Sequence, residues 1–273
     1  MTRTPPPPSH SEEGDKLVSA KYCAPILAAL AAAPVQAQAA DVVVMISGGF
    51  KSTYEAVSPA FEQKTGSRLI MVPGPSEGVT HDAIPKRLAR GEPDDVLVMV
   101  GTALDKLVKQ GETVPGSEVN IALSPIGMAV RAGSPIPDIS TVAKLRQVLL
   151  DAKSVAYSDS ASGVYIQNTL FKKLGIEQQM RGKAHKIQAT PVGEIVAAGK
   201  AEIGFQEVAE LLPVKGITFA GRLPQEVELF TRYSAAVAKR SKQPDLAKQL
   251  VQYIASPDIQ PTLEKMGLEP PQL

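Results

Sequence analysis

The chain has 273 residues, with 29 Lys plus Arg against 28 Asp plus Glu, 44% apolar and 4% aromatic residues, one Cys and no Trp. Charges so closely balanced exclude a phosphate backbone or an anionic membrane as the main partner, and so few rings exclude stacking platforms for sugars or single-stranded nucleic acid. One Cys excludes a disulfide framework, whereas the length and apolar content suffice for a full core.

Residues 1–15, MTRTPPPPSHSEEGD, are polar and Pro-rich. Lys16 and Lys21 then precede an apolar run from Tyr22 to Val35, and Ala37-Gln38-Ala39 fits the small-x-small rule, so residues 1–39 are expected to be a signal peptide cleaved before Ala40. The run is shorter than the roughly 20 residues of a spanning helix and is broken by Pro25 and Pro34. Cys23 follows Lys21 and Tyr22 instead of the small residues of a lipoprotein box. Glu12, Glu13 and Asp15 are foreign to an n-region, and a start at Val18 would leave a signal of 22 residues. Cleavage removes Arg3, Lys16 and Lys21 together with those three acids, so the net charge stays +1. The mature chain then has no thiol, which suits a bacterial periplasm.

From Asp41 the pattern alternates strands and helices. Val42 to Ile46 reads as a strand, Ser47-Gly48-Gly49 as a turn, and Phe50 to Thr65 as a helix whose Ala56, Val57, Ala60 and Phe61 share one face, with Gly66 as C-cap. Arg68 to Val72 is a strand, Pro73 to Ser76 a turn, Ile84 to Arg90 a helix, Val96 to Val100 a strand and Leu104 to Gln110 a helix. Asn120 to Arg131 is a strand, and Gly133 to Pro137 is expected to cross between two lobes. There follow a helix over Val142 to Leu150, a strand over Ser154 to Tyr157, a loop from Ser158 to Gly163, a helix over Val164 to Leu174, a weak strand over Lys186 to Gln188, a helix over Val192 to Ala198 and a strand over Ile203 to Gln206. Glu226 to Ala238 reads as a long strand, and Pro244 to Gly267 as helix broken at Pro257 and Pro261. The expected architecture is α/β with parallel strands, in two lobes, 40–124 with 222–273 and 125–221.

Open parallel sheets bind ligands at the carboxyl ends of their strands, where loops enter helix N-termini that favour anions. Four loops have that character: Ser47 to Lys51, Gly74 to Gly78, Ser158 to Val164 and Pro191 to Gly193. Ser158-Asp159-Ser160-Ala161-Ser162-Gly163 stands out, because an ordinary N-cap needs one hydroxyl and here there are three. A bulky side chain at Gly163 is expected to block a ligand without disturbing the fold. Ser47-Gly48-Gly49 is neither a dinucleotide fingerprint nor a P-loop, and no GxSxG elbow occurs. The mature chain has two histidines, His81 and His185, without metal-ligand spacing, so no metal and no cofactor is expected. Asp94-Asp95 reads as a solvated loop.

The order of Ser47-Gly48-Gly49 after a strand, Phe61-Glu62-Gln63-Lys64-Thr65-Gly66, Gly91-Glu92-Pro93-Asp94-Asp95-Val96, Ser160 to Tyr165 and Ala201-Glu202-Ile203-Gly204-Phe205 resembles the molybdate-binding proteins of ABC transporters. The resemblance implies a type II periplasmic binding fold with a hinge and a central cleft, a small anion as ligand, an ABC transporter permease as partner, and a monomer. It places the ligand among Ser47, Gly48, Gly49, Phe50, Lys51, Ser76, Ser160, Ser162, Gly163, Val164, Tyr165, Val192 and Gln206. Two positions depart from the family: its anchoring Ser aligns with Gly49, and its Tyr after the Gly-Ile-Val strand aligns with Glu207. A carboxylate beside an oxyanion costs affinity unless protonated or paired. An organic di- or tricarboxylate therefore fits better than molybdate, and a periplasmic solute-binding protein for such an acid is the expected function. Aconitate isomerase is similar to the same family, so a cofactor-independent isomerase is the alternative, with Glu207 and His81 as first choices for the base and Glu77, Asp159 and Tyr165 as others.

Overall fold

A computed structural model describes residues 39–188 and 190–271. The expected signal peptide, apart from Ala39, and with it Cys23, lies outside the described residues. In chain order the elements are β1 (Asp41–Ile46), α1 (Gly48–Thr65), β2 (Arg68–Pro73), α2 (Ile84–Ala89), β3 (Val96–Val100), α3 (Gly101–Lys109), β4 (Val119–Arg131), α4 (Val142–Asp151), β5 (Val155–Ser158) and α5 (Ala161–Tyr165). A π-helical turn (Ile166–Leu170) leads into α6 (Phe171–Lys173), followed by α7 (Glu177–Met180), β6 (Ala184–Ile187), α8 (Val192–Ala197), β7 (Ile203–Glu207), α9 (Val208–Leu211) and β8 (Ile217–Arg222). A 3-10 turn (Gln225–Val227), β9 (Phe230–Val237), α10 (Pro244–Ile254), another 3-10 turn (Pro257–Ile259) and α11 (Gln260–Lys265) complete the chain.

The strands run in the order β2-β1-β3-β9-β4-β7-β5-β6, with β8 also on β4. β1, β2 and β3 are parallel to one another, as are β5, β6 and β7. β4 joins the halves: Val119 to Pro125 pair with β9, and Ile126 to Arg131 pair with β7 and β8. Pro125 sits where the partners change, a place that tolerates a residue without an N–H. The sheet therefore crosses between halves inside β4, and Gly133 to Pro137 is a turn beyond it, not the crossover the sequence suggests. Each half has its own core: Val44, Ile46, Phe50, Val98 and Leu250 in the first, and Ile126, Leu145, Tyr157, Leu170 and Phe205 in the second.

Short, weakly periodic elements escape the sequence reading. β8 and α9 were not expected, and the strand predicted from Glu226 begins only at Phe230. In α1 only Val57 and Phe61 of the expected face are buried, joined by Thr53 and Tyr54, whereas Ala56 and Ala60 are exposed, and Gly66 caps the helix at φ 67° by donating to the Glu62 carbonyl at 2.8 Å. Asp95 is a buried clamp and not a solvated loop residue. Its carboxylate accepts from the Val43 N–H at 2.8 Å, Ser241 Oγ at 2.7 Å, and the N–H groups of Lys242 and Gln243 at 2.8 and 3.2 Å. Asp95→Asn turns an amide N–H toward donors, so an equilibrium urea melt should show a loss of about 2 kcal/mol; an unchanged midpoint would refute the clamp.

Candidate functional site

Glu207 ends β7 beside the start of α1, because α9, which it opens, packs on α1. Gly48 and Gly49 have ordinary negative φ and are needed for space. A Cβ on Gly49 would stand 2.2 Å from Tyr233 Oη and 2.3 Å from Glu207 Oε2, and one on Gly48 would stand 2.3 Å from Glu210 Oε1. Two carboxyl groups and a phenol thus press against the N-terminus of an 18-residue helix, whose first N–H groups have no intrahelical acceptor.

Tyr233 Oη donates to Glu207 Oε2 at 2.7 Å, and Glu207 is 2% exposed. Burial pushes the Glu207 carboxyl up, while the hydroxyls of Tyr233, Thr231 and Ser124 around it favour its charged form. Thr231 and Ser124 face each other across β9 and β4, and neither hydroxyl, nor that of buried Ser47, makes a hydrogen bond of normal geometry among the described residues. Burial, then the negative charges of Glu207 and Glu210, push the Tyr233 phenol well above its ordinary range. Glu210 is pushed up to about 8, first by burial and then by the charge of Glu207, against the opposing hydrogen bond from Gln206. The hydroxyls around Glu207, and not its solvation, favour its anion, and that charge in turn holds the proton on Glu210.

Gln206 orients this pair. Its Oε1 accepts from the Val192 N–H at 2.8 Å, which turns its Nε2 to donate to Glu210 Oε2 at 3.0 Å. That use of the Val192 N–H corrects its expected role as an open anion donor.

The second cluster lies where β5 enters α5. The hydroxyls of Ser158, Ser160 and Ser162 contact one another at 2.7, 3.1 and 3.2 Å, closing a ring in which each O–H has a partner. An anion entering here must exchange these bonds for its own, at little net cost because each is worth about 1 kcal/mol. Since Ser158 ends β5 beside β6, and Tyr157 pairs with Phe205 of β7, this ring lies on the same carboxyl edge as Gln206 and Glu207.

The other expected residues are placed differently. Phe50 is wholly buried in the first core, and Tyr165 donates its hydroxyl to the Val227 carbonyl at 2.7 Å, so neither side chain presents itself to a ligand. Ser76 Oγ accepts from the Val100 N–H at 2.9 Å and ties the β2–α2 loop to β3. His81 is exposed on that loop, and Glu77 there pairs with Lys106. No hydrogen bond among the described residues brings His81 to Glu207. Lys51 lies 3.7 Å from Glu55 on the open face of α1, while Val164 is 52% exposed near the end of α5. Glu210, Tyr233, Thr231 and Ser124 were missed. The signal for Glu210 was its spacing three residues after Glu207 at a strand end, and the signal for Thr231 and Tyr233 was their inward alternation with Ala235 and Val237.

Among the described residues no three His, Cys, Asp or Glu gather as metal ligands, and no helix is long and apolar enough to cross a membrane. Residues 42–269 match the family model for bacterial extracellular solute-binding protein. Aconitate isomerase of a Pseudomonas species is 46% identical over 241 residues, 88% of this chain and 90% of that protein. The molybdate-binding protein ModA of Azotobacter vinelandii is 24% identical over 239 residues, 85% of this chain and 90% of that one. Among solved structures, the periplasmic molybdate-binding protein of A. vinelandii matches with a TM-score of 0.64 at 20% identity, over 85% of this chain and all of that one. The sulfate-binding protein SubI of Mycobacterium tuberculosis matches with a TM-score of 0.65 at 16% identity, over 85% and 87%.

Proposed function

The chain belongs to the bacterial extracellular solute-binding protein family, and from that premise we propose that it is an isomerase interconverting the cis and trans forms of aconitate in the periplasm. The observation that carries the reading is the Glu207–Glu210 pair at the anion-receiving edge. A receptor for an inorganic oxyanion is weakened by carboxyl groups there, whereas a proton-transfer enzyme needs a carboxyl whose proton affinity lies near the working pH. The 46% identity to an aconitate isomerase supports it independently.

The chemistry follows from the substrate. Aconitate is an allylic tricarboxylate: breaking a C–H bond of its methylene lets the electron pair move into the double bond, which migrates, and the proton returns at the far allylic carbon. No electrons leave the substrate. The hydroxyls of Ser160 and Ser162 and the free N–H groups opening α1 hold its carboxylates, and closure of the halves, 40–124 with 222–273 against 125–221, removes water from the reacting carbons. The protein acts as a monomer.

A receptor that delivers the same acid to an ABC transporter permease is the second reading, favoured by the family and its anion-binding relatives. Mixing the mature chain with each aconitate isomer in deuterated buffer and following both by proton NMR separates the two. The isomerase yields the other isomer and puts deuterium into the methylene. Ligand returned unchanged and unlabelled leaves the receptor.

A further inference from the structure

We infer that Glu210, and not Glu207, is the catalytic residue that carries the proton between the substrate carbons, an inference that rests on the isomerase reading above. Glu207 is 2% exposed, sealed behind Gly49 and occupied by the Tyr233 hydroxyl, so its carboxylate has no open path to a carbon atom. Glu210 is only half-buried, and Gly48, against which its Oε1 rests, is exposed. Its two oxygens are distinguished by their neighbours. Oε2 accepts from Gln206 Nε2, whose orientation the Val192 N–H sets, while Oε1 has no hydrogen bond among the described residues. The free oxygen is thus the one at the N-terminus of α1, where a substrate carboxylate would be drawn and the adjoining methylene brought close.

Among the described residues, only Glu207 on its own strand and helix, and Tyr233 on β9, bring titratable groups against Glu210. Around the pair, α1 presents Gly48 to Glu210 and Gly49 to Glu207, β4 presents the Ser124 hydroxyl to Glu207, and α8 presents the Val192 N–H to Gln206 while Glu194 is exposed. The proton affinity near pH 8 that burial and Glu207 confer matches a group that must take a proton and give it back.

In the step itself the ionised Glu210 Oε1 takes a methylene proton: the C–H bond breaks, an O–H bond forms and the electron pair enters the allylic system. The same O–H then breaks as the proton returns two carbons away. Glu210 ends as it began, and no co-reactant is consumed. While protonated it is open to solvent, so exchange accompanies turnover. Glu207 is a positioning residue whose charge keeps Glu210 from ionising too early.

The test compares wild type, Glu210→Gln and Glu207→Gln for deuterium exchange into cis-aconitate across pH 5.5–9.5, with binding of tricarballylate, a saturated tricarboxylate, as a control for folding. Wild-type turnover should rise as pH climbs through about 8. Glu210→Gln preserves the acceptor for Gln206 and should bind tricarballylate while losing exchange by roughly 10² or more. Glu207→Gln should stay active with its midpoint moved to lower pH, because the neighbouring charge is gone. Exchange by Glu210→Gln within tenfold of wild type, or an inactive Glu207→Gln that still binds tricarballylate, overturns the assignment alone. A wild type without exchange overturns the isomerase reading and the assignment with it. Should Glu210→Gln fail to bind tricarballylate, Glu210→Asp decides: exchange reduced from wild type sustains the assignment, and undiminished exchange rejects it.

Discussion

Gly163→Ala is expected to destabilise the whole protein by about 3–5 kcal/mol, an effect far beyond weakened ligand binding. A Cβ at this position would stand 1.6 Å from the Ser158 carbonyl oxygen and 2.5 Å from its carbon, both backbone atoms in the turn that joins β5 to α5. Neither can retreat without breaking the strand end that pairs Ser158 with Ile187 or the first turn that sets Ser162 against Ser158. The expectation from sequence, that a bulky residue here would meet only ligand, fails because the chain doubles back on itself and the loop's own backbone fills the space. Differential scanning calorimetry is a direct measure: each kcal/mol corresponds to roughly 2–4 °C for a chain of this size, so the midpoint should fall by roughly 6–20 °C. A shift under 2 °C would show that the turn relaxes freely.

Stability should decline as pH rises from about 4.5 to about 8, and Glu210→Gln should remove much of that decline. In the unfolded chain Glu210 ionises near its ordinary 4.5, whereas in the folded protein burial, and then the charge of Glu207, hold the proton on until about 8. Between those values the native state binds a proton that the unfolded state has lost, so every added unit of pH favours unfolding by up to about 1.4 kcal/mol. The contribution is complete below the unfolded value and gone above the folded one, on the order of 5 kcal/mol across the window as an upper bound. Glu207, also raised by burial, adds in the same direction. Melting curves of wild type and Glu210→Gln from pH 4 to 9 isolate the effect, because all other titrating groups are common to both. Parallel curves between pH 5 and 8 would mean that Glu210 is solvated and not held neutral.

The two departures from the molybdate-binding proteins are one structural event. A side chain at position 49 would collide with Tyr233 Oη and Glu207 Oε2, so a Ser there and the present arrangement of Glu207 exclude each other. Removing an anchoring hydroxyl at the start of α1 makes room for a carboxyl and the phenol that supports it. Replacing one of the pair alone leaves either a clash or a void.

Periodicity and turn chemistry in the sequence by themselves determined the α/β class, the parallel strands β1, β3, β5 and β7, the long helices α1, α4 and α10, and the loops at the carboxyl edge where a ligand would sit. Those features are local: a β-branched run, a 3.6-residue stripe and a glycine stop each depend on neighbours within a few positions. Glu207 was marked as an acid in an anion site by the resemblance to the molybdate-binding proteins, whose Tyr aligns with it, and not by these local signals. Only the tertiary structure decided what that acid can do. Its burial comes from Gly49 and Tyr233, which lie 158 and 26 residues away in sequence. Glu210 reaches the open side at Gly48, with one oxygen engaged by Gln206, through the packing of α9 on α1. Asp95 became a clamp because four donors, one from β1 and three from the turn before α10, converge on it. Solvent exposure and proton affinity depend on which distant segments surround a group, and a pattern of neighbours along the chain carries no measure of that.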